Sequence, residues 1–125
     1  MSKSVICKQF NYQFMNLLKQ LINVYPNLEQ LKEYHVGLKL LLITNEKFLI
    51  NIFDKYIIKY KDKIIEKDEK FFLDIDYSKY DDEDVTSQSQ IFKEIWTSEL
   101  TTEETKKNIW LYFNIFIKLI EKYNE

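Results

Sequence analysis

The scarcity of glycine and proline restricts the fold of this chain more than any other feature. Its 125 residues include one glycine, Gly37, and one proline, Pro26. A sheet protein of this size needs several tight turns, and the favoured hairpin turns place Gly, Asn-Gly or Asp-Gly at positive φ. Leu, Ile, Lys and Glu are abundant instead, which favours helices joined by polar loops. The sequence therefore predicts an all-α fold.

The composition predicts a single domain over residues 1–125. Hydrophobic residues make up 46% of the chain and aromatic residues 16%, which is enough for one buried core at this length. Cys7 is the only cysteine, so an internal disulfide is excluded and a reducing compartment is favoured. The first residues lack the apolar stretch of a secretion signal. We therefore expect an intracellular, cytoplasmic protein.

The spacing of the apolar residues predicts a compact bundle of about five helices. Apolar side chains recur every three or four positions, which places them on one face of a helix. Possible capping boxes are Asn27 with Gln30, Ser87 with Gln90, and Thr101 with Glu104. The predicted helices run from about 5 to 25, from Asn27 to about 43, from Thr44-Asn45 to about 68, from Ser87 through Trp96, and from about 102 to 123.

Two positions within these helices carry further predictions. Gly37 weakens the middle of the second helix, so we expect a close helix crossing or a kink there. The run from Ile109 to Ile117 is apolar on nearly every face of the last helix, which indicates a central core helix or half of an oligomer interface. A buried strand is the competing interpretation of this run. The run is shorter than the ~20 residues that cross a membrane, so no membrane association is expected.

An acidic segment follows the third predicted helix. We interpret residues 74–88 as an exposed acidic loop. An ordinary solvated loop is favoured for it, and contact of its carboxylates with a basic partner is the functional alternative. Asp74 and Asp76 form a pair that can hold Mg²⁺ or Ca²⁺, but Lys79 stands where a calcium-binding EF-hand loop requires Gly, so no metal site is predicted. The candidate partner-binding acids are Asp74, Asp76, Asp81, Asp82, Glu83 and Asp84.

Four lysines on the third predicted helix suggest a second kind of partner. Lys55, Lys59, Lys63 and Lys67 are spaced four residues apart, which would align them as a stripe that follows a phosphate backbone. Acidic residues lie beside them in the sequence, and the net charge of the chain is only -2. An ordinary solvated helix face is therefore favoured over a nucleic-acid surface, which remains the alternative.

The composition also excludes several chemistries. One glycine rules out the glycine-rich phosphate-binding motifs, and His35 is the only histidine, so neither a metal cluster nor a Ser-His-Asp array has local support. The chain lacks arginine, which excludes bidentate phosphate clamps. The sequence predicts a protein that is not an enzyme and that uses no cofactor and no small-molecule substrate.

Several short segments carry a resemblance. They are Tyr25-Pro26, Thr44-Asn45, Asp68-Glu69-Lys70-Phe71-Phe72-Leu73, Ile95-Trp96 and Ile109-Trp110-Leu111-Tyr112. Together they resemble the small uncharacterised helical proteins of nucleocytoplasmic large DNA viruses. The chain also lacks alanine and arginine, as is typical of strongly AT-rich coding DNA. The resemblance implies a viral protein of the host cytoplasm or the virion, and it transfers no catalytic residue.

These observations favour a non-catalytic interaction or structural module. It would bind a protein partner or associate with itself, through the acidic segment and through aromatic side chains of the last helix. Trp110 and Phe113 are the candidate aromatic contacts, because aromatic residues often dominate protein interfaces. Core packing is the favoured alternative role for both of them.

Overall fold

A computed structural model describes residues 2–75 and 83–125 of the chain, and within 83–88 only the backbone. In this part of the chain there are seven α-helices, one short 3-10 turn and no strand, which confirms the all-α prediction. The helices are α1 (Lys3–Val24), α2 (Glu29–Thr44), α3 (Phe48–Tyr56), α4 (Lys61–Ile65), α5 (Glu69–Asp74), α6 (Glu83–Thr97) and α7 (Glu103–Tyr123).

Helix α1 lies at the centre of the helix contacts. Its most extensive packing is against α7, and it also contacts α2 and α3. Ser2 caps its start by accepting a hydrogen bond from the backbone N–H of Val5 at 3.2 Å. The helix ends at Val24, close to the predicted end at about residue 25, and Tyr25 leaves the α region ahead of Pro26. The side chains that α1 buries are Ile6, Cys7, Phe10, Leu17, Leu18 and Leu21.

A cluster of phenylalanine rings joins α1, α3 and α7 in the core. The ring of Phe10 lies 5.2 Å from that of Phe53 and 4.9 Å from that of Phe116, measured between centroids. The rings of Phe53 and Phe116 are 5.4 Å apart and nearly perpendicular, the edge-to-face geometry that aromatic pairs favour. All three side chains are buried. The core is therefore built from residues that are far apart in sequence.

The third predicted helix is broken in the structure, so the expectations of about five helices and of one helix to residue 68 are wrong. Helix α3 ends at Tyr56, a 3-10 turn occupies Ile58–Tyr60, and α4 follows. The interruption leaves the Tyr60 ring 5.3 Å from that of Phe71, while Ile64 is buried. These tertiary contacts outweigh the regular apolar spacing, which by itself favours an unbroken helix.

A left-handed residue separates α4 from α5. Lys67 has a φ of 56°, and the N–H of Asp68 reaches back to the carbonyl oxygen of Lys63 at 3.0 Å. This is the hydrogen-bond pattern that often closes a helix, usually with glycine at the left-handed position. The Asp68 carboxylate then accepts a hydrogen bond from the N–H of Phe71 at 3.1 Å and caps α5.

Most of the predicted helix caps are displaced. Helix α2 starts after Leu28 without a side-chain cap, so the box at Asn27 is wrong. Thr44 is the last residue of α2, and its hydroxyl donates to the Leu41 carbonyl rather than capping α3. Thr102, one residue beyond the predicted Thr101, caps α7 by accepting from the N–H of Thr105.

The predicted acidic loop is shorter than expected at its far end. Helix α6 begins at Glu83, so the predicted loop boundary at residue 88 and the predicted helix start at Ser87 are wrong. Residues 76–82 of that loop lie outside the described residues. The prediction of a close helix crossing at Gly37 is also wrong, because a Cβ added there would meet no atom within 4 Å. Gly37 lies exposed within a continuous α2.

Candidate functional site

The acidic candidates that the structure describes lie at two helix ends. Asp74 is the last residue of α5 and is exposed. Glu83 and Asp84 are the first two residues of α6. Asp76, Asp81 and Asp82 lie outside the described residues, so their use as a partner contact stays a prediction.

Trp110 and Phe113 are half-buried, and their ring contacts are with other core aromatics. The Trp110 ring lies 5.2 Å from that of Trp96 and 6.0 Å from that of Phe72. Phe113 lies 6.0 Å from Phe53. Outward apolar side chains of α7 are instead Leu111, which is 53% exposed, and Ile115, at 38%. A partner contact through Trp110 and Phe113 stays a prediction.

The four lysines do not share one helix. Lys55 lies near the end of α3, Lys59 in the 3-10 turn, Lys63 in α4 and Lys67 beyond it. The ammonium groups of Lys55 and Lys59 lie over the rings of their neighbours Tyr56 and Tyr60. Lys63 lies 3.9 Å from Glu66 and 3.6 Å from Asp68, measured between charged atoms. Nucleic-acid binding by these lysines stays a prediction, and the predicted single stripe is not formed.

A second apolar face on α2 is the feature that sequence reasoning missed. Val36, Leu40 and Ile43 are 59%, 64% and 76% exposed, and their spacing places them along one line of the helix. The opposite face holds the buried Leu31 and Leu38. We call the three exposed residues the α2 stripe. The sequence signal for the stripe is the spacing of these three apolar residues, four and then three positions apart. They lie on a different side of the helix from the core residues Leu31 and Leu38.

A polar cluster joins α5, α6 and α7. Oε1 of Glu69 accepts hydrogen bonds from Nε1 of Trp96 at 2.7 Å and from Nζ of Lys106 at 2.9 Å. The Lys106 ammonium also lies over the Trp96 ring. The hydrogen bond from Lys106, with that from Trp96, lowers the pKa of the Glu69 carboxyl below its ordinary value. The ammonium of Lys106 balances the charge of the carboxylate, and the indole N–H of Trp96 donates a second hydrogen bond to it. We call this cluster the Glu69 clamp, because it connects the three helices.

The Glu69 clamp predicts a pH dependence of stability. Because the folded-state pKa of Glu69 is lowered, its contribution is present above the ordinary carboxyl pKa and is lost as pH falls through the folded value. Glu69 is 45% exposed, so screening by solvent limits the effect to below about 1 kcal/mol. Urea unfolding of the native chain and of Glu69→Gln should differ at neutral pH and converge in acid. A difference that is the same at both pH values would contradict the prediction.

Two buried ionisable groups have raised pKa values. Burial, followed by the nearby Glu46, raises the pKa of the Cys7 thiol, which is fully buried. Burial also raises the pKa of Tyr25, whose hydroxyl donates to the Ile95 carbonyl at 3.2 Å and bonds Thr101. The thiol is therefore neutral and shielded, which is the opposite of an activated nucleophile. The Tyr25 hydroxyl ties α6 to the end of α1.

An apolar cavity of about 240 Å³ lies within the core and is partly open. Side chains from all seven helices contribute to its wall. Among the described residues, aliphatic and aromatic groups form most of the wall, and Glu69 and Lys93 are the charged ones. The arrangement can hold an apolar group.

The fold and these features define a helical protein with an apolar interior and a separate apolar outer face. The described residues hold no group of three or more metal-ligating side chains and no helix long and apolar enough to cross a membrane. No protein-family model, curated protein or solved structure matches the chain.

Proposed function

We propose that the chain is a compact helical bundle that acts as a non-catalytic interaction module and pairs with a second copy of itself through the α2 stripe. The observation that carries the proposal is the exposure of Val36, Leu40 and Ile43 on one line of the helix. Aligned apolar side chains on the outer face of a helix are typical of helix pairing. In keeping with the resemblance to viral proteins, we place this activity inside an infected cell.

The shape of α2 supports a second copy as the occupant. Gly37 borders the stripe and leaves an open gap, since an added Cβ would meet nothing within 4 Å. In an antiparallel pair with its two-fold axis near residues 38 and 39, Leu40 of each copy lies opposite Gly37 of the other. Val36 of one copy then lies between Leu40 and Ile43 of its partner. A two-fold contact of this kind uses the same patch on both copies.

The charges on α2 also permit this pairing. Its exposed charged residues are two acids, Glu29 and Glu33, and two lysines, Lys32 and Lys39. Their charges cancel, so the helix carries no net charge that opposes pairing. The two Lys39 side chains lie beside the two-fold axis at exposed positions, where solvent and salt screen their repulsion. A contact confined to one helix falls at the small end of specific interfaces, below about 1,200 Å² in total. We therefore expect a weak dimer whose population depends on concentration.

Sedimentation velocity over a range of concentrations tests the proposal. The native chain should shift from monomer to dimer, and Leu40→Glu should remain monomeric because it places a charge at the centre of the pair. Leu111→Glu is the matched control, since Leu111 is exposed on α7. It should dimerise as the native chain does.

Two results would overturn the α2 site. One is a native chain that stays monomeric up to about 1 mM, where even an association of about −4 kcal/mol is detectable. The other is a dimer that Leu111→Glu dissociates and Leu40→Glu leaves intact, which would place the contact on α7. Circular dichroism confirms that each variant is folded.

A further inference from the structure

The cavity in the core is much larger than the voids that packed protein interiors usually contain. Protein interiors are packed at the density of organic crystals, and voids larger than a water molecule are few. This cavity has a volume of about 240 Å³, and buried residues such as Leu31 and Ile109 line it. Side chains that face a space of this size lack protein atoms to contact on that side. An occupant that fits would supply those contacts.

The wall of the cavity indicates an uncharged occupant. Among the described residues of the wall, the two charged side chains already have partners within the protein. Glu69 accepts from Trp96 and Lys106, and Nζ of Lys93 donates to the carbonyl oxygen of Ile75 at 2.7 Å. The rest of the wall is mainly aliphatic and aromatic, as at Leu31 and Phe72. A charged ligand would lose its hydration without a compensating contact, whereas an apolar one would not.

We propose that the cavity is a binding site for an uncharged apolar small molecule. An engineered apolar cavity of about 150 Å³ in another protein stays dry and binds benzene, which has six carbon atoms. Scaled by volume, a cavity of about 240 Å³ has room for about ten carbon atoms. The class therefore includes bicyclic aromatics and short alkyl-substituted rings. This site lies on the inner side of α2, whereas the α2 stripe faces outward, so it is independent of the proposed pairing.

Naphthalene is a suitable probe, because it is uncharged, has ten carbons and matches the aromatic wall. Calorimetric titration of the full chain should show saturable binding of one molecule per chain, and the melting temperature should rise with its concentration. In the nuclear magnetic resonance spectrum, naphthalene protons should show Overhauser effects to the methyl groups of Leu31 and Ile109. These effects require the native chain only and need no variant.

A pair of matched substitutions separates the cavity from the surface. Leu31→Trp adds bulk inside the cavity and should weaken naphthalene binding at least tenfold. Leu111→Trp adds the same bulk on the exposed side of α7 and should leave binding unchanged.

Three results would overturn the proposal. They are the absence of saturable binding to the native chain, equal binding by both variants, and Overhauser effects confined to exposed methyl groups such as those of Leu40. If Leu31→Trp does not fold, the Overhauser contacts in the native chain decide the question. Sedimentation measured with and without naphthalene reports on the α2 pairing alone. A failure of naphthalene binding can therefore be distinguished from a failure of dimer formation.

Discussion

Replacing Phe116 with alanine should lower the free energy of unfolding by about 3–5 kcal/mol. Phe116 is 1% exposed, and its ring contacts those of Phe10, Phe14, Phe53 and Phe113 on three helices. Removing the ring deletes buried apolar surface and leaves a cavity that the surrounding helices cannot fully close. Domains of this size have a total stability of about 5–15 kcal/mol, so this one substitution removes a large fraction of it.

Urea unfolding followed by circular dichroism measures this change. Leu111→Ala is the control on the same helix, and because Leu111 is 53% exposed it should cost well under half as much. Equal losses for the two variants would show that Phe116 does not occupy the centre of the core. The slope of the unfolding free energy against urea concentration should be the same for both variants. An equal slope would confirm that each variant unfolds between the same native and unfolded states.

Replacing Trp96 with alanine should cost a similar amount, about 3–5 kcal/mol, through a different part of the structure. Trp96 is 4% exposed and packs against Trp110 at 5.2 Å and Phe92 at 5.9 Å. Its indole N–H also donates to Glu69, which links α6 to α5. The substitution therefore removes both the buried ring and the anchor of α5. We expect amide hydrogens of α5 and α6 to exchange faster than those of α1 and α7.

Trp96→Phe separates the ring from its hydrogen bond. Phenylalanine keeps most of the apolar packing but cannot donate to Glu69, so the expected loss is about 1–2 kcal/mol. Hydrogen exchange measured by mass spectrometry on all three proteins gives the local comparison. Uniform acceleration in every helix of Trp96→Ala would contradict a local anchoring role and indicate global destabilisation alone.

The two proposed binding features lie on opposite sides of one helix. The α2 stripe faces outward through Leu40, while Leu31 on the same helix lines the cavity. Substitutions at these positions therefore affect different measurements. Leu40→Glu should change the sedimentation profile and leave naphthalene binding intact. Leu31→Trp should weaken naphthalene binding and leave the sedimentation profile unchanged.

Parts of the fold follow from local sequence, and parts do not. The end of α1 is predictable because Pro26 restricts the backbone of Tyr25, a constraint that operates between neighbours. The predicted cap at Thr101 is displaced because its hydroxyl bonds the Ile95 carbonyl and Tyr25, which a local pattern cannot reveal. The break after Tyr56 is likewise missed, because it depends on the packing of Tyr60 against Phe71.

The candidate sites show the same division. The sequence indicated Trp110 and Phe113 as possible contacts because they are aromatic, but their exposure depends on which way α7 faces. The α2 stripe and the cavity both went unpredicted. A helix with two apolar faces does not reveal which one is buried, and the cavity is lined by side chains from several helices at once.

The sequence by itself determined that this chain is helical, because one glycine and an apolar period of three to four residues act between near neighbours. Tertiary structure alone decided where the long third segment breaks, which face of α2 is left outside, and that space remains between the seven helices. These properties depend on contacts between residues far apart in sequence, whose energies exceed the differences of a few tenths of a kcal/mol that set local preference.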